Sequence, residues 1–403
     1  MTPWLSVIGV GDDGVAGLAP AARALLDQAE IVVGAERLLQ GLSPEGRALH
    51  VWASPLSQTI ARIEGWRGRP VAVLASGDPM HFGVGCTLTR HFAIEEMRVV
   101  PAPSSFSLAA ARLGWPLQEV ECVSLHARPA ASIVPLIAPG ARILALTNGG
   151  ETVREVAAIL CGLGFGQSRL TVLEHMSGAA ERSVAQRADE VSGQTFAELN
   201  LLAVECVAGR NAALLPRIAG LADESFRHDG QISKREVRAV TLAALAPLPG
   251  AHLWDVGAGC GSIAIEWMRA ARGAQATAFE RNMQRIDFIA ENALCLGVPD
   301  LRIVAGGVPE TLAGRPAPDA VFLGGAVFDE AVFEACWAAL KPGGRLVANA
   351  VTLEGEAALI ARQARLGGDL VRIDIAHLKP VGNKRALAPR MSVLQWRAAK
   401  EKP

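Results

Sequence analysis

The stretch Asp255-Val256-Gly257-Ala258-Gly259-Cys260-Gly261 decides how this chain is read, because a carboxylate at a strand end runs into three alternate glycines and then a helix. His252-Leu253-Trp254 supplies the strand. The helix opens at Ser262, with Ile263, Trp267, Ala270 and Ala271 at helical spacing. Glycines at such a turn let backbone approach a ligand closely, next to the unpaired amides of a helix start. The following strand, Gln275-Ala276-Thr277-Ala278-Phe279, ends in Glu280, 25 residues beyond Asp255, where a carboxylate can accept both hydroxyls of a ribose. The expectation is a nucleoside-binding loop in an α/β sheet.

Spacing then separates the candidate ligands. Gly-x-Gly-x-Gly stands where dinucleotide folds have Gly-x-Gly-x-x-Gly, which displaces the glycine that packs helix on strand around a pyrophosphate. A carboxylate at Asp255 would oppose a pyrophosphate, yet it suits a ligand carrying an ammonium and a sulfonium. Both features favour S-adenosylmethionine over NAD. The competing reading is a glycine-rich turn in some other nucleotide-binding domain.

At 403 residues the chain exceeds what one core usually organises, and at ~100 to 200 residues per domain it should hold two or three. A formal charge of −1 and a pI near 6.7 give no global basic field, so neither nucleic acid nor an anionic membrane is an expected partner. Local Arg and Lys still allow a polyanionic small molecule. The seven cysteines contain no Cys-x-x-Cys pair and are odd in number, which predicts free thiols, no metal site and a reducing cytoplasm. No apolar run approaches the ~18 residues of a membrane span, and no basic export signal opens the chain.

In the first half, the strand Trp4 to Ile8 leads into Gly9-Val10-Gly11-Asp12-Asp13-Gly14. This matches Gly-x-Gly-x-x-Gly, but the next helix is expected only near Leu18-Ala19-Pro20, too late for a dinucleotide loop. Strands follow at Ile31 to Val33 and at Pro70 to Leu74, the latter closing on Ala75-Ser76-Gly77-Asp78-Pro79, at the sheet edge where open α/β folds bind ligands. Met97 to Val100 leads to Pro103-Ser104-Ser105, where a serine can cap the helix that carries Leu108 to Leu113. Further strands are expected at Val120 to Leu125, Arg142 to Leu146, Arg169 to Leu173 and Leu199 to Val204, with helices at Ser132 to Ile137 and Glu151 to Leu163.

Gly9-Val10-Gly11, Val33-Gly34-Ala35-Glu36-Arg37, Leu74 to Pro79, Pro103-Ser104-Ser105 and Ser124-Leu125-His126 occur in the order of the tetrapyrrole methylases. The half resembles the cobalamin-pathway branch that methylates precorrin rings. That resemblance implies two α/β subdomains with S-adenosylmethionine folded in a cleft, touching Gly9, Gly11, Gly77, Asp78, Pro79, Ser104 and Ser105, with backbone near Thr147, Met176 and Leu202. The family commonly has Pro-Gly after Gly-x-Gly, whereas Asp12 and Asp13 stand here.

A turn-rich junction near 208 to 215 divides the chain into 1–210 and 211–403. Beyond it, Ser233 and Glu236 fit a capping box, and Lys234 or Arg235 could face an acidic substrate. Repeating strand and helix units continue through Leu301 to Val304, Asp319 to Gly325 and Lys341 to Thr352. Leu370 to Ile375 and Ser392 to Trp396 close the series as a hairpin-like pair.

His228-Asp229-Gly230 with Ile232-Ser233-Lys234, the Asp255 loop, Phe322-Leu323-Gly324-Gly325 and Asn349 to Glu354 resemble the decarboxylating precorrin-6 methyltransferase domain, a class I, Rossmann-like methyltransferase. The implied cofactor contacts are Ser233, Asp255, Gly257, Ala258, Gly259, Cys260, Gly261, Glu280, Gly307 and Val308. The family usually has Asp where Gly307 stands, so adenine recognition would pass to backbone. Together the resemblances imply C5 methylation by the first domain, C15 methylation with loss of the ring C acetate carboxyl by the second, and a polycarboxylate tetrapyrrole substrate. A homo-oligomer is the expected assembly. For decarboxylation a proton donor or cation is needed. His377 and Lys384, in a tail that also holds Lys379 and Arg385, are the candidates. The alternatives are a methyltransferase for another substrate, an NAD-dependent reductase, and a non-catalytic tetrapyrrole carrier.

Overall fold

The computed structural model describes residues 3–44 and 46–402 and divides into two units. The first comprises Met1–Ala130 and Ala138–Ala213; the second comprises Leu214–Pro403 and the short segment Ala131–Ile137.

Two five-stranded sheets build the first unit. One contains β1 (Leu5–Val10), β2 (Ile31–Gly34), β3 (Ala48–Val51), β4 (Val71–Ser76) and β5 (Met97–Val100), in the order β3-β2-β4-β1-β5 and parallel throughout. Its central strands are apolar on both faces because both are covered. Leu5, Val7, Val71 and Val73 enter one core, while Ile8, Val10, Ala72 and Leu74 enter another. The second sheet holds β6 (Glu121–Ser124), β7 (Arg142–Leu146), β8 (Arg169–Glu174), β9 (Arg182–Arg187) and β10 (Asn200–Glu205), in the order β6-β7-β10-β8-β9, with only β6 and β7 parallel.

In the second unit a seven-stranded sheet is formed by β11 (His252–Val256), β12 (Gln275–Glu280), β13 (Arg302–Ala305), β14 (Ala320–Leu323), β15 (Arg345–Ala350), β16 (Asp369–Ile373) and, after an excursion, β19 (Val393–Ala399). Their order is β13-β12-β11-β14-β15-β19-β16, with β19 antiparallel to both neighbours. The excursion is a separate hairpin, β17 (Ala376–Val381) and β18 (Lys384–Pro389).

The tail strands therefore pair as expected, but a second hairpin, unmarked in the sequence, lies between them. Its residues, with Pro380 and Pro389 among them and none buried, lack the apolar alternation of a core strand. Ser132 to Ile137, expected as an α-helix, lies largely within a 3-10 helix, Ala130–Leu136, with Pro135 inside it. Strands β3 and β9 also give no sequence signal; both lie at sheet edges and neither buries a residue. Among the described residues no helix is long and apolar enough to cross a membrane, and no group of three metal-ligating side chains occurs. All seven cysteines are free; Cys206, Cys260 and Cys336 are buried, while Cys161 in the first unit and Cys295 in the second are exposed.

Candidate active sites

Strand order reverses between β11 and β14, and there the two following loops part to form the crevice in which open α/β sheets bind ligands. Gly257, Gly259 and Gly261 take left-handed φ values of +73°, +60° and +80°. At Gly257 this is combined with close approach, since a Cβ there would lie 2.9 Å from the Gly325 nitrogen. Bare backbone from both loops thus forms the floor. Above it opens a cavity of about 900 Å³, lined by Ser233, Gly257, Ala258, Gly259 and Cys260 among the expected residues, and by His377.

Asp255, Glu280, Gly307 and Val308 are not on that wall, and Gly261 lies beneath the loop as the residue preceding the helix Ser262–Ala270. Asp255 is fully buried; its Oδ2 accepts the Ala264 N–H at 3.0 Å, and its Oδ1 has no partner. Burial drives its pKa up to about 7, against the Ala264 hydrogen bond and with a smaller push from the Glu280 charge. Glu280 accepts the Gly259 N–H at 2.8 Å on one oxygen and the Arg281 and Asn282 N–H groups, both at 3.0 Å, on the other. Both carboxylates hold the curvature of the loop.

Arg238, fully buried, fastens the segment that carries Ser233. Its Nε donates to Glu266 Oε1 at 2.7 Å, its Nη1 to Asp223 at 3.2 Å, and further N–H groups to the Ser233 and Leu221 carbonyls. Glu266 in turn accepts the Gly220 and Leu221 N–H groups at 2.7 and 3.0 Å. Sequence reasoning missed this pair. Its signal is a charged residue among the buried positions of one helix, Val237, Arg238, Thr241, Leu242 and Leu245, where no other residue carries a charge.

The hairpin pleat sorts the tail cations. Register pairs His377 with Ala388, Lys379 with Ala386 and Val381 with Lys384, all on one face, while Leu378, Leu387 and Arg385 share the other. His377 and Lys379 reach the cavity wall, whereas Lys384, at the tip, and Arg385 do not. The His377 Nε2 lies 3.5 Å from Glu236, close enough for an electrostatic contact but without hydrogen-bond geometry.

In the first unit two adjoining clefts open where β1, β4 and β5 end. The smaller touches Gly11, Gly77 and Ser105; the larger, about 490 Å³, touches Asp78, Ser104 and Ser105. Gly9 lies behind them, where a Cβ would fall 2.2 Å from the Gly77 oxygen and 2.4 Å from the Ala102 nitrogen. Pro79 is also off the walls. Asp78 accepts the Met80 N–H at 2.8 Å, and Ser104 caps its helix through the Ser107 N–H at 3.1 Å. Asp12 bridges Arg37 at 3.3 Å and His175 at 3.2 Å, linking loops of both sheets across the smaller cleft. No local pattern could reveal a contact between residues 163 positions apart.

Residues 5–192 match the family model of tetrapyrrole (corrin/porphyrin) methylases, and residues 224–400 match that of the precorrin methyltransferase domain. A relative from Sinorhizobium sp, named precorrin-6Y C(5,15)-methyltransferase [decarboxylating], is 51% identical over 398 residues, covering 98% of this chain and 96% of its own. Two relatives from Salmonella typhimurium are shorter. One, named cobalt-precorrin-7 C(5)-methyltransferase, is 28% identical over 44% of this chain and 88% of its own. The other, named cobalt-precorrin-6B C(15)-methyltransferase (decarboxylating), is 32% identical over 45% of this chain and 96% of its own. Fold and matches define the class: two unlike methyltransferase domains joined in tandem. Within that class, the chain belongs to the family of decarboxylating precorrin-6Y C(5,15)-methyltransferases.

Proposed function

We propose that this chain transfers two methyl groups from S-adenosylmethionine to one reduced tetrapyrrole, precorrin-6B, at C5 and C15, and removes the ring C acetate carboxyl as carbon dioxide, giving precorrin-8X. The first unit methylates C5; the second methylates C15 and decarboxylates. The observation that carries this reading is the likeness of the whole chain, end to end, to an enzyme named for both methylations. The division between units is supported by the two shorter relatives, each named for one methylation and each matching less than half of this chain.

S-adenosylmethionine supplies a methyl group on a cationic sulfur, and its loss leaves a neutral thioether. What remains for the protein is alignment. The bare floor at Gly257 and Gly259, with Ser233 above it, fits a nucleoside laid against backbone, and Glu280 and Asp255 keep that floor in shape. Gly11, Gly77, Asp78, Ser104 and Ser105 surround the corresponding space in the first unit. During decarboxylation the bond from the acetate methylene to its carboxyl breaks, the electron pair stays with the methylene carbon and the conjugated ring, and the methylene gains a proton. C5 and C15 each release their hydrogen as a proton once methylated. His377, on the cavity wall beside Glu236, is the side chain assigned to proton delivery. Lys384 is given no step, because it stands off the wall.

Incubating the full chain with precorrin-6B and S-adenosylmethionine tests the reading. The expected product has gained two methyl groups and lost one carbon dioxide. Pigment bound without turnover, or nicotinamide dinucleotide bound in place of S-adenosylhomocysteine, would overturn it.

A further inference from the structure

We infer that Lys379 and Arg390 are the side chains that grip the peripheral carboxylates of the substrate in the second unit, which makes the β17–β18 hairpin and its return strand the specificity element of that site. The inference rests on the proposed function and adds to it which cations read the substrate.

The cavity wall carries Lys234, Arg285, His377, Lys379 and Arg390 and no Asp or Glu. Three of these five already face an acid. Lys234 lies 3.8 Å from Asp223, Arg285 donates to Asp229 at 2.8 Å, and His377 is 3.5 Å from Glu236. Asp229 is held below the usual carboxylate range chiefly by its Arg285 hydrogen bond, so that pair is a settled one. Lys379 and Arg390 have no side-chain hydrogen bond or ion pair among the described residues.

An exposed lysine is ordinarily a solvated one, and on a convex surface it would need no more explanation. Here both cations stand on a concave wall whose remaining surface includes Ile232, Phe322, Val351 and Met391. Apolar area rimmed by unneutralised cations is complementary to a flat hydrocarbon ring with carboxylates at its edge.

The pleat adds selectivity of direction. Lys379 opposes Ala386 on the face that also holds His377 and Ala388, both of which line the cavity. Arg385 opposes Pro380 and lies on the other face, although it is the immediate neighbour of Ala386. Of these two cations only Lys379 lies on the cavity wall; Pro389, at the base of the hairpin on the Arg385 face, lines it as well. Arg390 stands at the base of the hairpin, where its backbone N–H donates to the Ile375 carbonyl at 2.8 Å and fixes its position on the wall. A guanidinium can take a carboxylate through two parallel bonds and an ammonium can hold one as a point charge, so the two cations suit carboxylates at different distances from the ring.

The test uses the full chain and follows C15 methylation of precorrin-6B. K379Q and R390Q are each expected to raise KM for the pigment by about tenfold, the effect of losing one charge-assisted hydrogen bond. Affinity for S-adenosylhomocysteine should stay as in the parent, and K379R and R390K should recover part of the loss. R385Q, off the cavity wall, should leave KM unaltered and so controls for damage to the hairpin. Unchanged KM in K379Q and R390Q, or an equal rise in R385Q, overturns the inference while leaving the proposed function standing. A parent chain that neither binds nor methylates precorrin-6B overturns both.

Discussion

Asp255 shows how a residue legible as important can do something other than its type suggests. Its place at the strand end, before three glycines, marks the loop from sequence alone. Burial is not legible there, because it depends on the helix that follows folding back over the carboxylate, where Ala264 donates to it. An ordinary Asp ionises near 3.8, and this one near 7, so between those values the folded chain holds a proton that the unfolded chain has lost. By linkage, this group makes folding less favourable as pH rises from about 4 to about 7 and adds no further slope above that. Asp255→Asn keeps an acceptor for the Ala264 N–H and removes the titration. Its stability relative to the parent should therefore increase across that window and level off beyond it. Urea denaturation of both proteins at several pH values checks this; a difference that shrinks with rising pH would contradict it.

At the scale of elements, the segment from Gly220 to Ser233 has little regular structure and is held by the Arg238–Glu266 pair. Removing one partner of a buried ion pair strands the other. Arg238→Met should accordingly cost about 3–5 kcal/mol of stability in the second unit. Hydrogen exchange should then speed up in that segment before it does in β11 or β12. The central strands of that unit are easier to place from sequence, since β11 is buried at every position and sets Leu253 and Trp254 directly before Asp255 and the glycines. Harder to place are edge strands such as β9, where no residue is buried and the polar sequence Arg182 to Arg187 gives no period to read. The same limit hides the β17–β18 hairpin, and with it the separation of Lys379 from Arg385.

For the whole molecule, order and kind of domain are readable because each half carries several motifs in fixed succession, from Gly9 to His126 and from His228 to Glu354. Contacts that join distant loops, such as Asp12 with His175, are not. A site in each unit predicts separable defects. Gly9→Ala would drive a Cβ into the backbone at Gly77 and Ala102, a clash that no side-chain rotation relieves. The overpacking should cost about 1–3 kcal/mol. It should abolish C5 methylation while the second unit still works, so that precorrin-6B gains one methyl group and loses carbon dioxide. Mass analysis of the pigment reads the result directly, and a doubly methylated product would show that the Gly9 loop is dispensable.

The placement of the thiols has a practical consequence for watching this enzyme at work. Exposed Cys161 and Cys295 fall one in each unit, while Cys206 and Cys336 are buried, with thiols pushed up to about 11 and about 12. A maleimide dye pair would find natural handles on both halves once the half-buried Cys86 and Cys122 are replaced by serine. Energy transfer between the dyes would then report, in single molecules, whether the span from one half to the other changes as pigment arrives and leaves.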